Sequence, residues 1–311
     1  MKLLLALAFA TALSAQTEKI VAQVSAERIA SDVKTLAAFG TRASGSTHYA
    51  EARKWIFDQF KSYSPRFDVE IMDSINVVAI LPGAVEPAKQ IVVGAHYDSI
   101  NLKDRRPEAP APGADDDASG TALVLELARV MSQFHFRKTI VFVAFGGEEI
   151  GLVGSTRFAA RAKLNKDQIE AMLNNDVVGS NVLGVTHNDI DGSDEATSDL
   201  GDTGNKLRVY SPPPDDSPSR RLAKTVQETV AHYVPKLRLD MSSLADRFGR
   251  SGDQGPFQQR GFPAVRFTSA SENTGIQHTA NDTPDLVSAP FVALVTQANA
   301  AAIATLAALV Q

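Results

Sequence analysis

Five groups of acidic and imidazole side chains in this chain could take part in chemistry. They are His96-Tyr97-Asp98, Asp115-Asp116-Asp117, Glu148-Glu149, Asp176 and His278. Carboxylates gathered at one site repel one another, and some stay protonated unless cations neutralise them. Two imidazoles with several carboxylates form a donor set that suits zinc, and a carboxylate shared by two ions is typical of two-metal hydrolases. The residue types therefore predict a metal site with hydrolytic chemistry.

The apolar runs of the sequence show which elements must position these groups. Short β-branched runs indicate strands buried on both faces at residues 75–81, 91–95, 139–145, 171–175 and 264–267. Helical spacing covers residues 26–63, 119–131 and 218–232. This alternation predicts an α/β fold, a three-layer α/β/α sandwich with a mixed, largely parallel central sheet. Most of the acidic and imidazole groups would then follow a strand, at the sheet edge where α/β proteins bind ligands.

The composition excludes several classes of function. The 311 residues include 31 Lys and Arg against 36 Asp and Glu, a net charge of −5. This balance argues against a nucleic-acid partner, which would need a basic face for the phosphates. Cysteine is absent, so thiolate metal sites, cysteine nucleophiles and disulfides are excluded. Any metal site must use His, Asp and Glu.

Three further segments carry interpretations of their own. Residues 1–15 have the charge, the apolar stretch and the small residues of a signal peptide, the alternative being an apolar helix of the fold. We therefore expect export to the periplasm or the extracellular medium, and a single domain over residues 16–311. Polar side chains interrupt residues 291–310, which predicts a final helix packed on the core and no stable membrane anchor. Residues 188–205 indicate a solvated acidic loop, with a calcium site as the alternative.

The acidic and imidazole groups stand within longer motifs that follow one another in a fixed order. These motifs are His96-x-Asp98-Ser99, Gly113-Ala114-Asp115-Asp116-Asp117-Ala118-Ser119-Gly120, Glu148-Glu149-x-Gly151, Asn175-Asp176, and His278 followed by Asn281-Asp282. Through them the chain resembles the secreted bacterial zinc aminopeptidases of peptidase family M28, which are co-catalytic dizinc exopeptidases. The resemblance covers nearly all of residues 16–311 and implies a single zinc peptidase domain with the zinc-exopeptidase fold.

The resemblance implies a set of metal ligands. Asp116 would bridge two divalent zinc ions. His96 and Asp176 would complete one site, and Glu149 and His278 the other. Cobalt or manganese would be accepted by the same ligands.

The resemblance also implies roles for residues beside the ligands. Asp98 would hold the His96 ring in one tautomer, and Glu148 would be the general acid and base. The family implies a cis peptide bond between Asp116 and Asp117. Asp282 either orients the ring of His278 or forms a turn.

The function implied by the resemblance is that of a metal-dependent exopeptidase. An aminopeptidase would hydrolyse the N-terminal peptide bond with water activated between two zinc ions and Glu148 as general base. Its partners would be peptide or aminoacyl substrates with a free N-terminus. The alternatives are a glutaminyl cyclase-type aminoacyltransferase, a dizinc carboxypeptidase or deacylase on the same fold, and a binding protein on an inactive hydrolase fold. Gln254 and Gln277 depart from the family pattern, where His and Tyr are common, and leave the specificity open.

Overall fold

The computed structural model describes residues 14–180, 185–187, 194–196, 204–247, 251–270 and 272–310. Nearly all of the expected signal peptide, residues 1–15, lies outside the described residues, as does most of the expected acidic loop, residues 188–205. Both interpretations therefore stay predictions.

Helices and strands alternate along the described chain. After a helical stretch at residues 14–22, the α-helices are α1 (Ala26–Ala37), α2 (Thr47–Tyr63), α3 (Ser119–Met131), α4 (Val153–Asn165), α5 (Pro218–Tyr233), α6 (Gln254–Gln259) and α7 (Ala289–Ala307). The strands are β1 (Asp68–Met72), β2 (Asn76–Leu81), β3 (Glu86–His96), β4 (Lys138–Phe145), β5 (Gln168–Asn175), β6 (Val185–His187), β7 (Asp194–Ala196), β8 (Lys206–Tyr210), β9 (Arg238–Ser242) and β10 (Ala264–Ser269). A π-helical turn, Ala114–Ala118, precedes α3, and a 3-10 turn, Pro284–Leu286, precedes α7.

Eight strands form one sheet in the order β1-β2-β4-β3-β5-β10-β8-β9. The pairs β4-β3, β3-β5, β5-β10 and β8-β9 are parallel. The pairs β1-β2, β2-β4 and β10-β8 are antiparallel. Strands β6 and β7 pair separately as a two-stranded ribbon. The predicted mixed, largely parallel sheet is confirmed.

Helices cover both faces of the sheet, because alternate residues of each strand point to opposite sides. Ile91 and Val93 of β3 belong to a large core shared with α1, α2, α3, α5 and α7. Val92, between them, packs in a smaller core with Phe158 of α4 and Phe257 of α6. The three-layer α/β/α sandwich is therefore confirmed.

The stretch at residues 26–63, predicted as helical throughout, contains two helices. The first helix ends at Ala37, and Gly40 follows in a left-handed conformation with a φ of 74°, which turns the chain away from the helix. The second begins at Ser46, whose side chain accepts a hydrogen bond from the backbone N–H of Tyr49. The hydrophobic spacing continues through the break because both helices pack on the same core.

The final helix packs inside the protein. Helix α7 is long and apolar enough to cross a membrane by composition, but 67% of its apolar window is buried in the fold. The Nδ2 of its Asn299 donates to Oδ1 of Asn175 at 2.8 Å. This bond ties α7 to the last residue of β5, directly before Asp176.

Asp32 on α1 predicts a pH-dependent stability. Burial raises its pKa to about 6; Arg28 lowers it and Glu126 raises it further. A carboxyl whose pKa is raised on folding binds more protons in the native state, so its cost is absent below the ordinary pKa of 3.8, grows as the pH rises towards 6 and is complete above that. Asp32→Asn is expected to raise the melting temperature of metal-free protein at pH 7.5 and to raise it much less at pH 4. Calorimetry at both pH values measures this, and a lower melting temperature at pH 7.5 would contradict it.

Candidate metal centre

The carboxyl ends of the central strands bring the predicted ligands to one edge of the sheet. His96 is the last residue of β3, and Asp176 directly follows β5. Glu148 and Glu149 follow β4 after two glycines, and His278 lies in the segment after β10. Parallel neighbours end at the same edge, so these segments converge without a further domain.

The carboxylate of Asp116 lies between the two imidazoles. Its Oδ1 lies 3.1 Å from Nε2 of His96, and its Oδ2 lies 3.1 Å from Nε2 of His278. A second carboxylate lies near the same Nε2 atom of each ring. Asp176 Oδ1 lies 3.8 Å from Nε2 of His96, and Glu149 Oε2 lies 3.1 Å from Nε2 of His278. The five residues thus form two groups that share Asp116.

The donor atoms of this cluster fit a metal. Asp116, Glu149 and His278 each offer an atom within 4.8 Å of the other two, and so do His96, Glu148 and Glu149. The Oε1 of Glu149 is buried and has no hydrogen-bond partner in the part of the chain that the structure describes. A buried carboxylate oxygen without a partner is costly unless a cation binds it. Imidazole nitrogens with carboxylate oxygens are a zinc donor set.

Asp117 also lies within metal-binding distance of His96 and Asp176, but its carboxylate is already hydrogen-bonded. Its Oδ2 accepts from the backbone N–H of His96 at 3.2 Å. Its Oδ1 accepts from the N–H of Gly120 at 3.0 Å and that of Val177 at 3.3 Å. Asp117 therefore fixes the ends of β3, β5 and α3 to one another, whereas the carboxylate of Asp116 faces the two imidazoles.

The side chain of Asp282 holds the turn that carries Asp116. The carboxylate of Asp282 accepts from the backbone N–H of Asp115 at 2.8 Å and that of Asp116 at 3.0 Å. The peptide bond between Asp116 and Asp117 is cis, as the resemblance implies. Asp282 thus holds the acidic turn, and orientation of the His278 ring is not the role that its contacts indicate.

Asp98 contacts more than the His96 ring. Its Oδ1 lies 3.7 Å from Nδ1 of His96, while its backbone carbonyl lies closer to the same nitrogen, at 3.1 Å. The two carboxylate oxygens accept from the backbone N–H of Glu148 at 3.1 Å and of Glu149 at 3.2 Å. Asp98 therefore positions the segment that carries Glu148 and Glu149. The sequence spacing of Asp98 from His96 did not predict this second role.

Arg42 is a buried part of the site that the sequence reasoning missed. Its guanidinium donates to the carbonyl oxygens of Tyr97, Pro112 and Gly113. Burial lowers its pKa to about 10, against the attraction of nearby carboxylates, of which Asp282 is the strongest. Arg42 thus joins the loop after β3 to the loop before the acidic turn. A lone arginine in a polar stretch gives no sequence signal of such a role.

Arg266 is a second buried arginine, and it belongs to β10. Its NH2 lies 3.2 Å from Oδ1 of Asp176, and its NH1 lies 2.7 Å from Oδ1 of Asp246. The pKa of Asp176 is held below its ordinary value because Arg266 and His96 outweigh the effect of burial. Arg266 thus keeps Asp176 ionised and directed towards His96.

The pKa values of these side chains follow from the same contacts. Burial disfavours a charge on His278, but hydrogen bonds to Asp116 and Glu149 prevail and raise its pKa to about 11. Burial alone would raise the pKa of Asp116, yet His278 and His96 hold it well below its usual range. Burial raises the pKa of Glu149 to about 7 and that of Glu148 well above its ordinary value. Imidazoles must lose their protons to bind a metal, so a cation entering here displaces protons.

The cluster forms the wall of a cavity of about 380 Å³. This volume is large enough for a small ligand beside the carboxylates. The cavity is lined by His96, Leu102, Asp116, Glu148, Glu149, Asp176, Arg247, Ser251, Arg266 and His278.

Comparison with known proteins places the chain in a family. Residues 76–303 match the profile of peptidase family M28, so the chain belongs to this family. A probable zinc metalloprotease of the fungus Pyrenophora teres f. teres is 33% identical over 311 aligned positions. The alignment covers 85% of this chain and 61% of that protein, so the chain spans about three-fifths of its relative's length.

Two solved bacterial structures share the fold of this chain. LapA aminopeptidase of Legionella pneumophila matches with a TM-score of 0.77 and 20% identity, covering 96% of this chain and 76% of the other. Glutaminyl cyclase of Porphyromonas gingivalis matches with a TM-score of 0.68 and 17% identity, covering 91% of this chain and 99% of the other. At these identities the likeness concerns the fold alone.

Proposed function

We propose that this protein is a zinc-dependent exopeptidase, and specifically an aminopeptidase that removes the first residue of peptide or aminoacyl substrates with a free N-terminus. The observation that carries the proposal is the pair of groups around Asp116 in the wall of an open cavity, with Glu148 beside them. Membership of family M28 supports peptide hydrolysis as the reaction. Cobalt or manganese would also fit these ligands.

We propose two zinc ions, because Asp116 presents one carboxylate oxygen to each imidazole. His96, Asp176 and Asp116 would hold one ion, and His278, Glu149 and Asp116 the other. Zinc in such a site supplies a Lewis acid and lowers the pKa of water towards ~7.

In the proposed reaction Glu148 makes both proton transfers. Glu148 accepts a proton from the attacking water as the water oxygen bonds to the carbonyl carbon and the C=O electron pair moves onto oxygen. That pair returns as the C–N bond breaks, and Glu148 gives its proton to the leaving nitrogen. A positioned carboxylate of this kind contributes about 10²–10⁴-fold. Asp98 supports the step by fixing the backbone N–H groups of Glu148 and Glu149.

The second candidate is a glutaminyl cyclase, which the fold of the Porphyromonas gingivalis enzyme supports. In that reaction the substrate's own α-amine would attack its side-chain amide, so no water would be consumed. We favour hydrolysis because His96 also faces Asp116. A site with a single metal bound around His278 would not need this second imidazole. We further propose that residues 1–15 direct export, which would bring the enzyme to extracellular peptides.

The direct test is hydrolysis of leucyl-p-nitroanilide beside its N-acetylated twin, each with and without a chelator. We expect cleavage of the free-amine substrate only, lost with the chelator and restored by zinc. Cleavage of both substrates, or of neither by zinc-loaded protein across a panel of first residues, would contradict the aminopeptidase. Ammonia release from glutaminyl peptides with no free amino acid formed would favour the cyclase.

A further inference from the structure

One guanidinium in the metal cavity has no part in holding the proposed ligands. Besides the histidines and carboxylates, the cavity is lined by Leu102, Arg247, Ser251 and Arg266. Ser251 donates to the carbonyl of Gly252, and Arg266 lies between two aspartates. Arg247 therefore remains as the cation of the cavity wall that is not engaged with a proposed ligand.

Contacts with buried side chains hold Arg247 in place. Its NH1 pairs with the carboxylate of Glu272, which is fully buried. The Oε2 of Glu272 also accepts from Nε2 of Gln277 at 3.2 Å. Gln277 directly precedes His278, so the chain of contacts connects the guanidinium to the segment of a proposed ligand. One edge of Arg247 is thereby fixed and its position is set by buried groups.

The other edge of Arg247 retains a free donor. Its Nε is buried and has no hydrogen-bond partner among the described residues, and the residue is only 7% exposed. An N–H donor left unpaired in a buried position costs free energy unless something else fills the place. Arg247 also forms part of the cavity wall, so a substrate group in the cavity can approach this guanidinium and supply an acceptor that the protein does not.

We infer that Arg247 donates a hydrogen bond to the scissile carbonyl oxygen as that oxygen becomes negatively charged. This inference rests on the proposed function. A fixed donor in a water-poor site stabilises developing charge more than it stabilises the neutral carbonyl, so it lowers the barrier. Arginine suits the task because it stays charged when buried and its planar fork is rigidly oriented. In this assignment Glu272 and Gln277 are positioning residues.

The test uses variants that keep the buried charges balanced. Arg247→Met alone would leave Glu272 as an unpaired buried carboxylate and could unfold the protein. We therefore choose Arg247→Lys, which keeps a cation but removes Nε, and the double variant R247M with E272Q. The control is Arg220→Met, since Arg220 is a mostly buried arginine on α5 that contacts Ser211 and Ser242.

In zinc-loaded protein the double variant is expected to lower kcat for leucyl-p-nitroanilide by about 10²–10³-fold, as loss of one oxyanion donor does, with KM changed less than about threefold. Arg247→Lys should lower kcat at least about tenfold, and Arg220→Met should leave kcat unchanged. Calorimetry gives a readout independent of turnover. The variants should lose affinity for the aminophosphonic acid analogue of leucine, a tetrahedral anion, and should keep that for leucinol, which has no anionic oxygen. The zinc content should not change.

Three results would overturn the assignment: unchanged kcat, unchanged affinity for the phosphonic acid, or a loss confined to glutamyl-p-nitroanilide. The last result would show that Arg247 selects acidic first residues. A wild type that holds zinc and cleaves no free-amine substrate would instead overturn the proposed function. The two failures are therefore distinguishable.

Discussion

Glu148→Gln is expected to lower kcat for leucyl-p-nitroanilide by about 10²–10⁴-fold, the contribution of a positioned general acid and base. The amide keeps the size of the side chain but neither accepts the proton of water nor delivers it to the leaving nitrogen. Glu148 has an oxygen within 4.8 Å of donor atoms of His96 and Glu149, but the carboxylates paired with the two imidazoles belong to Asp116, Asp176 and Glu149. We therefore expect the zinc content to be unchanged. Steady-state kinetics with metal analysis of the same sample measures both quantities.

The matched control for this prediction is the neighbouring residue. Glu149→Gln removes the carboxylate that lies 3.1 Å from His278, so it should lower zinc content as well as activity. If Glu148→Gln loses zinc to the same extent as Glu149→Gln, Glu148 is a ligand and the assignment of general base is wrong.

Asp116→Asn is expected to have the largest effect on metal binding. The two oxygens of Asp116 face different imidazoles, and an asparagine offers one oxygen and an NH2 donor in their place. One side of the site therefore loses its shared ligand, and the negative charge between the two proposed ions is lost. We expect zinc affinity to fall by more than the ~10–100-fold that is typical of substitutions around a metal's direct ligands. Equilibrium dialysis against a zinc buffer measures this.

Asp115→Asn is the control for that variant. Asp115 accepts from the backbone N–H of Gly179 at 2.7 Å, and burial raises its pKa well above the ordinary value. An amide replaces a carboxyl that is already disposed to be neutral, so zinc affinity should change little. Equal losses in the two variants would indicate a folding defect of the acidic turn and would contradict a specific role for Asp116.

The central strands could be predicted from the sequence because they are buried on both faces. Strands β2, β3, β4, β5 and β10 contain continuous apolar runs, and burial between two helical layers requires these. Strands β8, β1 and β9 were missed. In β8, Lys206 and Arg208 alternate with apolar residues although most of the strand is buried, so no apolar run marks it. Strands β1 and β9 lie at the sheet edges. Both are largely exposed or half-buried, so no apolar run distinguishes them from loops. Their pairing follows from the tertiary structure.

The acidic and imidazole groups could be located from the sequence because most of them follow buried strands, and the resemblance to family M28 implied which of them would be ligands. The arginines around them could not, since isolated charged residues in loops are normally exposed. Arg266 did carry a signal, because it interrupts the apolar run of β10 and must be buried with a partner. Arg42, Arg247 and Glu272 act over long sequence separations that only the fold brings together.

The measurement that tests the dizinc site most directly is a zinc titration of metal-free protein, with bound zinc counted while hydrolysis of leucyl-p-nitroanilide is followed. We predict that bound zinc saturates at two ions per chain and that activity requires the groups around both His96 and His278. His96→Ala and His278→Ala should each lower the saturation value by at least one ion. Full activity with one zinc per chain, or saturation at one ion in the wild type, would contradict the dizinc site.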